Sequence, residues 1–190
     1  MIILAVNPKN SPQAIKKAVN HLVMGGIVAA KADTSYALLV LPKYLENHRI
    51  LNIIKHSRHG KQYSLFVAKP EDIVSKVDDK YKLLVKKMIP GAVTIIYDID
   101  KPALRHIDSP TINSLLTAIK SPLTATSANP SNRTPAVSVG QVREYFQALP
   151  VLVLDEGDLP TQKPSTIIDL SGKRPRVVRR GAVSLSRVNQ

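Results

Sequence analysis

Four segments of the chain gather hydroxyls, amides or cations into loops beside apolar runs, where a ligand could be held. In Lys31-Ala32-Asp33-Thr34-Ser35-Tyr36-Ala37-Leu38, hydroxyls and one carboxylate stand where a strand ends. They are suited to the ammonium and side-chain hydroxyl of an amino acid. A tight turn with Asp33 capping backbone amides uses the same residues. In Lys55-His56-Ser57-Arg58-His59-Gly60-Lys61, cations crowd a loop between a helix and a strand. Their mutual repulsion is relieved by a triphosphate or phosphodiester, or by solvent, with Lys55 then complementing the helix dipole.

The third segment, Thr124-Ala125-Thr126-Ser127-Ala128-Asn129-Pro130-Ser131-Asn132, leaves an apolar strand carrying hydroxyls and amides. These groups bind phosphate and ribose oxygens without charge, or simply make a polar loop. The fourth pairs Lys163-Pro164-Ser165-Thr166-Ile167-Ile168-Asp169-Leu170 with Val177-Val178-Arg179-Arg180-Gly181-Ala182. Successive strands there deliver Ser165 and Arg179 or Arg180 to one edge of a sheet. A P-loop, a G-x-G-x-x-G turn, a nucleophile elbow, a His-Glu-x-x-His helix and a calcium loop are all missing, which removes the usual nucleotide, hydrolase and metalloprotease schemes.

The elements that must position these segments follow from periodicity. Ser11-Pro12 reads as an N-cap and first-turn proline, and Ile15, Ala18, Val19 and Leu22 recur at helical spacing until Gly25-Gly26. Further helices are predicted over 44–55, 70–76, 80–89, 110–120 and 137–148. Strands are predicted over 27–30, 36–41, 64–68, 93–97, 123–126, 151–154, 166–170 and 176–180, and Met1 to Val6 is an apolar run of strand length. The alternation predicts a mixed α/β sheet with helices on its faces. With 190 residues, no repeat and no dividing linker, one domain over 1–190 is expected.

Lysine and arginine number 27 against 14 acidic residues, a formal charge of +13, densest at Lys173, Arg174, Arg176, Arg179 and Arg180. Such a field draws polyanions and small anions such as ATP, or only keeps the surface soluble. No run nears the roughly 20 apolar residues of a membrane span, so a soluble protein without a membrane partner is expected. The start shows no signal-peptide pattern. The absence of cysteine excludes thiolate chemistry and suits a cytoplasmic location.

Read in order, the segments resemble the YrdC-like, threonylcarbamoyl-AMP synthase family, with the YciO-like branch nearest in its Tyr-Ala-Leu and Lys-Pro-Ser-Thr forms. Lys31 to Leu38 is similar to the family's Pro-Thr-Asp-Thr-x-Tyr-Gly-Leu entry, and Lys55 to Val67 to its basic Lys-x-Arg loop and strand. Pro90-Gly91-Ala92-Val93-Thr94 is similar to Pro-Gly-Pro-x-Thr, and Ser127 to Asn132 to Ser-Ala-Asn-x-Ser-Gly. Pro164 to Asp169 and Arg179 to Ala182 complete the set.

The resemblance implies a single-domain twisted mixed sheet with helices on its faces and a concave basic surface. It also implies condensation of L-threonine, bicarbonate and ATP, with Mg²⁺, into threonylcarbamoyl-AMP and pyrophosphate. Partner tRNA threonylcarbamoyl-transferase proteins would pass the group to an adenosine of ANN-decoding tRNA. By resemblance Lys55 and Arg58 are catalytic and grip the phosphates. Thr126, Ser127 and Asn129 hold the nucleotide, Ser165 and Arg179 the adenylate side, and Thr34 with Tyr36 the threonine. Mg²⁺ would bridge phosphate oxygens, with no protein metal ligand assigned.

The departures fall around the pocket. Lys31-Ala32 replaces Pro-Thr, Leu39 stands where a glycine is usual, Arg58 lies three places after Lys55 instead of two, and Asn132 replaces a glycine. The family's Arg-x-Pro segment is matched only by Arg105-His106-Ile107-Asp108-Ser109-Pro110. Two alternatives follow. One is an RNA- or ribosome-binding protein of the same fold, taking tRNA or double-stranded RNA, with reduced or no synthase activity. The other is an adenylating enzyme for another amino acid.

Overall fold

The computed structural model describes residues 1–54, 63–89 and 91–184. The first half of the chain runs β1 (Ile2–Ala5), α1 (Ser11–Val23), β2 (Ile27–Lys31), β3 (Tyr36–Val40), α2 (Leu45–Ile54), β4 (Ser64–Val67), α3 (Pro70–Val74) and α4 (Asp79–Met88). The second half runs β5 (Val93–Ile96), β6 (Leu104–His106), α5 (Pro110–Ile119), β7 (Leu123–Ser127), α6 (Val139–Phe146), β8 (Val151–Asp155), β9 (Thr166–Asp169) and β10 (Arg176–Arg179).

All strands join one ten-stranded sheet in the order β1-β8-β2-β3-β7-β4-β6-β5-β9-β10. It is mixed: β8 runs parallel to β1 and β2, and β4–β6 and β5–β9 are parallel, while β3, β7 and β10 enter antiparallel. The central strands β2 and β3 are buried almost throughout. Their continuous apolar runs reflect a sheet covered on both faces.

The period-2 alternation of strand side chains divides the interior. Val28 and Ala30 of β2 join Ile15, Ala18 and Leu22 of α1 and Ile112, Leu115 and Leu116 of α5 in one core. Ile27 and Ala29 point the other way, to Leu51 of α2 and Val142 and Phe146 of α6. A third core, around Ile73, Tyr81, Val85 and Ile95, sets α3 and α4 against the β5–β9 end. Among the described residues no helix is long and apolar enough to cross a membrane.

Two expectations are corrected. The N-cap of α1 is Asn10, with Ser11 already helical and Pro12 inside the first turn. The chain is bound there by Asn10 Nδ2, which donates to Ala5 O at 2.8 Å, and by Asn7 Oδ1, which accepts from the Lys9 and Asn10 amides. Strand β6 was not anticipated. It is three residues long with Leu104 as its one apolar residue before Arg105 and His106, so it lacks the run that marks a strand, and only its place between β4 and β5 makes it one.

One connection bears on function. Strand β8 is second in the sheet and β9 ninth, so residues 156–165 must cross from one side of the sheet to the other. This strap is fastened as it crosses. Lys31 Nζ donates to Glu156 O (3.3 Å) and Asp158 O (3.1 Å), Tyr36 Oη to Gly157 O (2.9 Å), and the Leu159 amide to Val137 O (2.8 Å).

Candidate functional site

Under the strap lies a cavity of about 730 Å³, walled by the β2–β3 turn, the starts of β4 and β5, Arg105 of β6, the end of β7, residues 131–141, the strap and Arg179 of β10. The only charged side chains on its wall, among the described residues, are Arg105 and Arg179. Hydroxyls from Thr34, Ser35, Ser64, Thr94, Thr126, Ser127 and Ser165 fill much of the rest.

Arg105 is 8% exposed. One of its terminal nitrogens donates to Asp33 Oδ1 at 2.5 Å, and its guanidinium lies 5.9 Å from the centre of the Phe66 ring. Its Nε is buried and has no hydrogen-bond partner among the described residues. Burying a charged donor without an acceptor is costly, so the arrangement favours an incoming anion. Asp33 therefore does not cap the turn amides as one expectation had it. The Ala32 amide closes that turn by donating to Ser35 O at 3.0 Å, leaving the Asp33 carboxylate for Arg105.

Arg179 lines the same cavity. Its Nε and one terminal nitrogen donate to Ser165 O (3.0 and 2.8 Å), and the latter also to Ser165 Oγ (2.9 Å), which lies 3.0 Å from Thr94 Oγ1. Burial first, and the charge of Arg105 second, lower the pKa of this guanidinium. The two cations thus feel each other's charge. The close approach that permits this grip needs Gly181, because a Cβ there would collide with the main chain of Pro164 and Ser165.

The far wall is neutral. Ser127 Oγ donates to Asn129 Oδ1 (2.6 Å), and Asn129 Nδ2 donates to the carbonyls of Pro130 (3.0 Å) and Arg133 (2.5 Å). Asn132 turns the loop with φ of 65°, a left-handed conformation that asparagine tolerates, which explains how it stands in a glycine's place. Gln141 lines the same wall, its Oε1 accepting from the Val137 amide at 2.7 Å.

Thr34, Thr126, Ser127, Asn129, Ser165 and Arg179, singled out from sequence, all line this one cavity. Lys55 and Arg58 lie outside the described residues. Tyr36 is a correction: its ring is fully buried in the α2–α6 core, its hydroxyl is spent on Gly157 O, and it does not line the cavity. Burial pushes its phenol up to about 12. Leu39 likewise packs in the α1–α5 core, so it does not reshape the pocket, whereas Ala32 does line it. The sequence reading took Arg105 only as a loose match and missed the strap residues Thr161 and Gln162. An arginine between the apolar Leu104 and Ile107 was the available signal, since a cation rarely sits in such a setting without a partner.

Fold and cavity together define a twisted α/β sheet protein built around an anion-ready pocket. The Sua5/YciO/YrdC family model, which carries the description "Telomere recombination", matches residues 20–181. The chain belongs to this family. The threonylcarbamoyl-AMP synthase of Cellvibrio japonicus is 27% identical over 161 residues, which cover 77% of this chain and 82% of that protein. Among solved structures, E. coli YciO superposes with a TM-score of 0.86 at 23% identity, covering 98% of this chain and 97% of that one. P. abyssi Sua5 complexed with L-threonine gives 0.87 at 22% identity, covering all of this chain and 60% of that chain. This chain thus spans about three fifths of the Sua5 length.

Proposed function

We propose that the protein is a threonylcarbamoyl-AMP synthase, condensing L-threonine, bicarbonate and ATP into threonylcarbamoyl-AMP with release of pyrophosphate. The observation that carries this reading is the pairing of two guanidiniums, Arg105 and Arg179, with a single carboxylate, Asp33, at a hydroxyl-lined cavity of about 730 Å³. One guanidinium in excess of the single carboxylate, together with the unpaired Nε of Arg105, suits a phosphate, and the neutral wall of residues 126–141 suits a ribose and base. Attack of a carbamate oxygen on the α-phosphorus needs the reactants aligned and the growing charge neutralised, which fixed guanidiniums and hydroxyls supply.

Thr34, in the β2–β3 turn, is assigned to the amino acid. Thr126, Ser127, Asn129, Ser165 and Arg179 are assigned to the nucleotide, and Lys55 and Arg58 to its phosphates. The described cavity wall offers hydroxyl oxygens and no carboxylate, a donor set suited to Mg²⁺ carried in on phosphate oxygens. Transferase proteins acting on tRNA are the expected consumers of the product.

Purified protein given ATP, L-threonine, bicarbonate and Mg²⁺ should release pyrophosphate only when all are present. No turnover at saturating substrate would defeat the proposal. RNA retention that falls steeply with salt, in a protein that binds no ATP, would replace it with an RNA-binding role.

A further inference from the structure

We infer that Asp33 is a positioning residue: its carboxylate presets Arg105 as the cavity's cation, and its main chain couples that pair to the strap through Gln162. The inference rests on the synthase reading for its kinetic consequence, though not for the geometry. Among the described residues the only hydrogen bond made by the Arg105 side chain goes to Asp33 Oδ1, at 2.5 Å between side chains that are 9% and 19% exposed. A long side chain hydrogen-bonded at a single point, with Nε unpaired among the described residues, depends on that point and on the Phe66 ring to keep one rotamer. The same residue fixes the strap: Gln162 Nε2 donates to Asp33 O at 2.6 Å, beside the Lys31 contacts to Glu156 O and Asp158 O.

Lys31 occupies the place of the family's proline without reaching the cavity wall, so in this chain it serves the strap. Asp33 is therefore the junction at which the cation, the β2–β3 turn and the cover over the cavity meet. It touches no substrate in this scheme and acts through Arg105.

The test compares wild type, Asp33→Asn, Asp33→Glu and Gln162→Ala by nitrogen-proton NMR of the arginine Nε groups, with the Arg105 signal assigned by its loss in Arg105→Lys. ATP calorimetry and steady-state kinetics accompany it. In Asp33→Asn the Arg105 Nε proton should exchange with solvent at least about tenfold faster, and kcat should fall about a hundredfold while ATP affinity moves by less than about threefold. Asp33→Glu should recover part of kcat, a rescue that a merely structural aspartate would not show. Gln162→Ala, which leaves the ion pair intact, should lower kcat by about threefold and guards against misfolding of the aspartate variants.

An unchanged Arg105 signal in Asp33→Asn overturns the positioning role. A moved signal with unchanged kcat in an active enzyme overturns the catalytic consequence. A wild type that neither binds nor turns over ATP overturns the synthase reading alone, and the NMR comparison still decides the hold of Asp33 on Arg105.

Discussion

The two walls of the cavity are built from similarly polar residues but in opposite states of completion. On the neutral wall the Asn129 amide is already engaged: it ties Ser127, Pro130 and Arg133 into one loop. On the cationic wall Arg105 keeps a buried Nε without a hydrogen-bond partner among the described residues and feels the charge of a second guanidinium. A polar cluster whose bonds close on itself mainly shapes the pocket, whereas one left electrostatically unbalanced is shaped for something that arrives. On the proposed reading the cationic wall meets developing charge, while the neutral wall shapes the pocket and holds the nucleotide.

Arg105→Met should separate the two most sharply. Pyrophosphate release should fall by about a hundredfold or more, the usual scale for losing a charge-stabilising donor. The melting temperature should move little, because the variant also removes a buried unpaired donor and leaves Asp33 able to meet water. Asn129→Ala is the converse. Loss of the loop bonds should cost about 2 kcal/mol, or about 4–8 °C in thermal melting for a chain of this size, and ATP affinity should weaken because Asn129 is assigned to the nucleotide, while turnover at saturating ATP falls far less than in Arg105→Met. If Arg105→Met melts lower than Asn129→Ala, the contrast between the walls fails.

The smallest effect is expected at Tyr36, which belongs to neither wall. Tyr36→Phe should lose about 1 kcal/mol with the bond to Gly157 O. The phenol titrates near pH 10 when unfolded and is pushed up to about 12 by burial in the fold. Its contribution is therefore fully present below pH 10 and lost as pH rises from 10 towards 12. Denaturation midpoints of wild type and variant should therefore converge as pH rises through that window and cross before its upper end. A constant gap would mean that the hydroxyl is not held as described.

Much of this was legible in the chain. Unbroken apolar runs such as Ile27 to Ala30 and Val151 to Leu154 announced buried strands, and the helical spacing of Ile15, Ala18 and Leu22 announced α1. The order of the polar loops brought six of the named site residues to one cavity. The reading went astray where a residue type was asked to stand for a direction. Tyr36 sits in a motif rich in ligand-like groups, yet alternation along β3 turns its ring into the core and leaves Thr34 and Ser35, in the turn before it, on the cavity wall. Strand β6 and its arginine carry too little local pattern to be seen without their neighbours.

Local sequence determined the elements, because helix and strand periods are set by side chains a few residues apart, and it determined the family through motifs that are each contiguous. Tertiary structure alone decided which cation pairs with Asp33. Asp33 and Arg105 are 72 residues apart, and Gln162 lies 129 residues from Asp33. Such contacts exist only once a sheet of ten strands has fixed its order and register, and no property of the separate segments encodes that order.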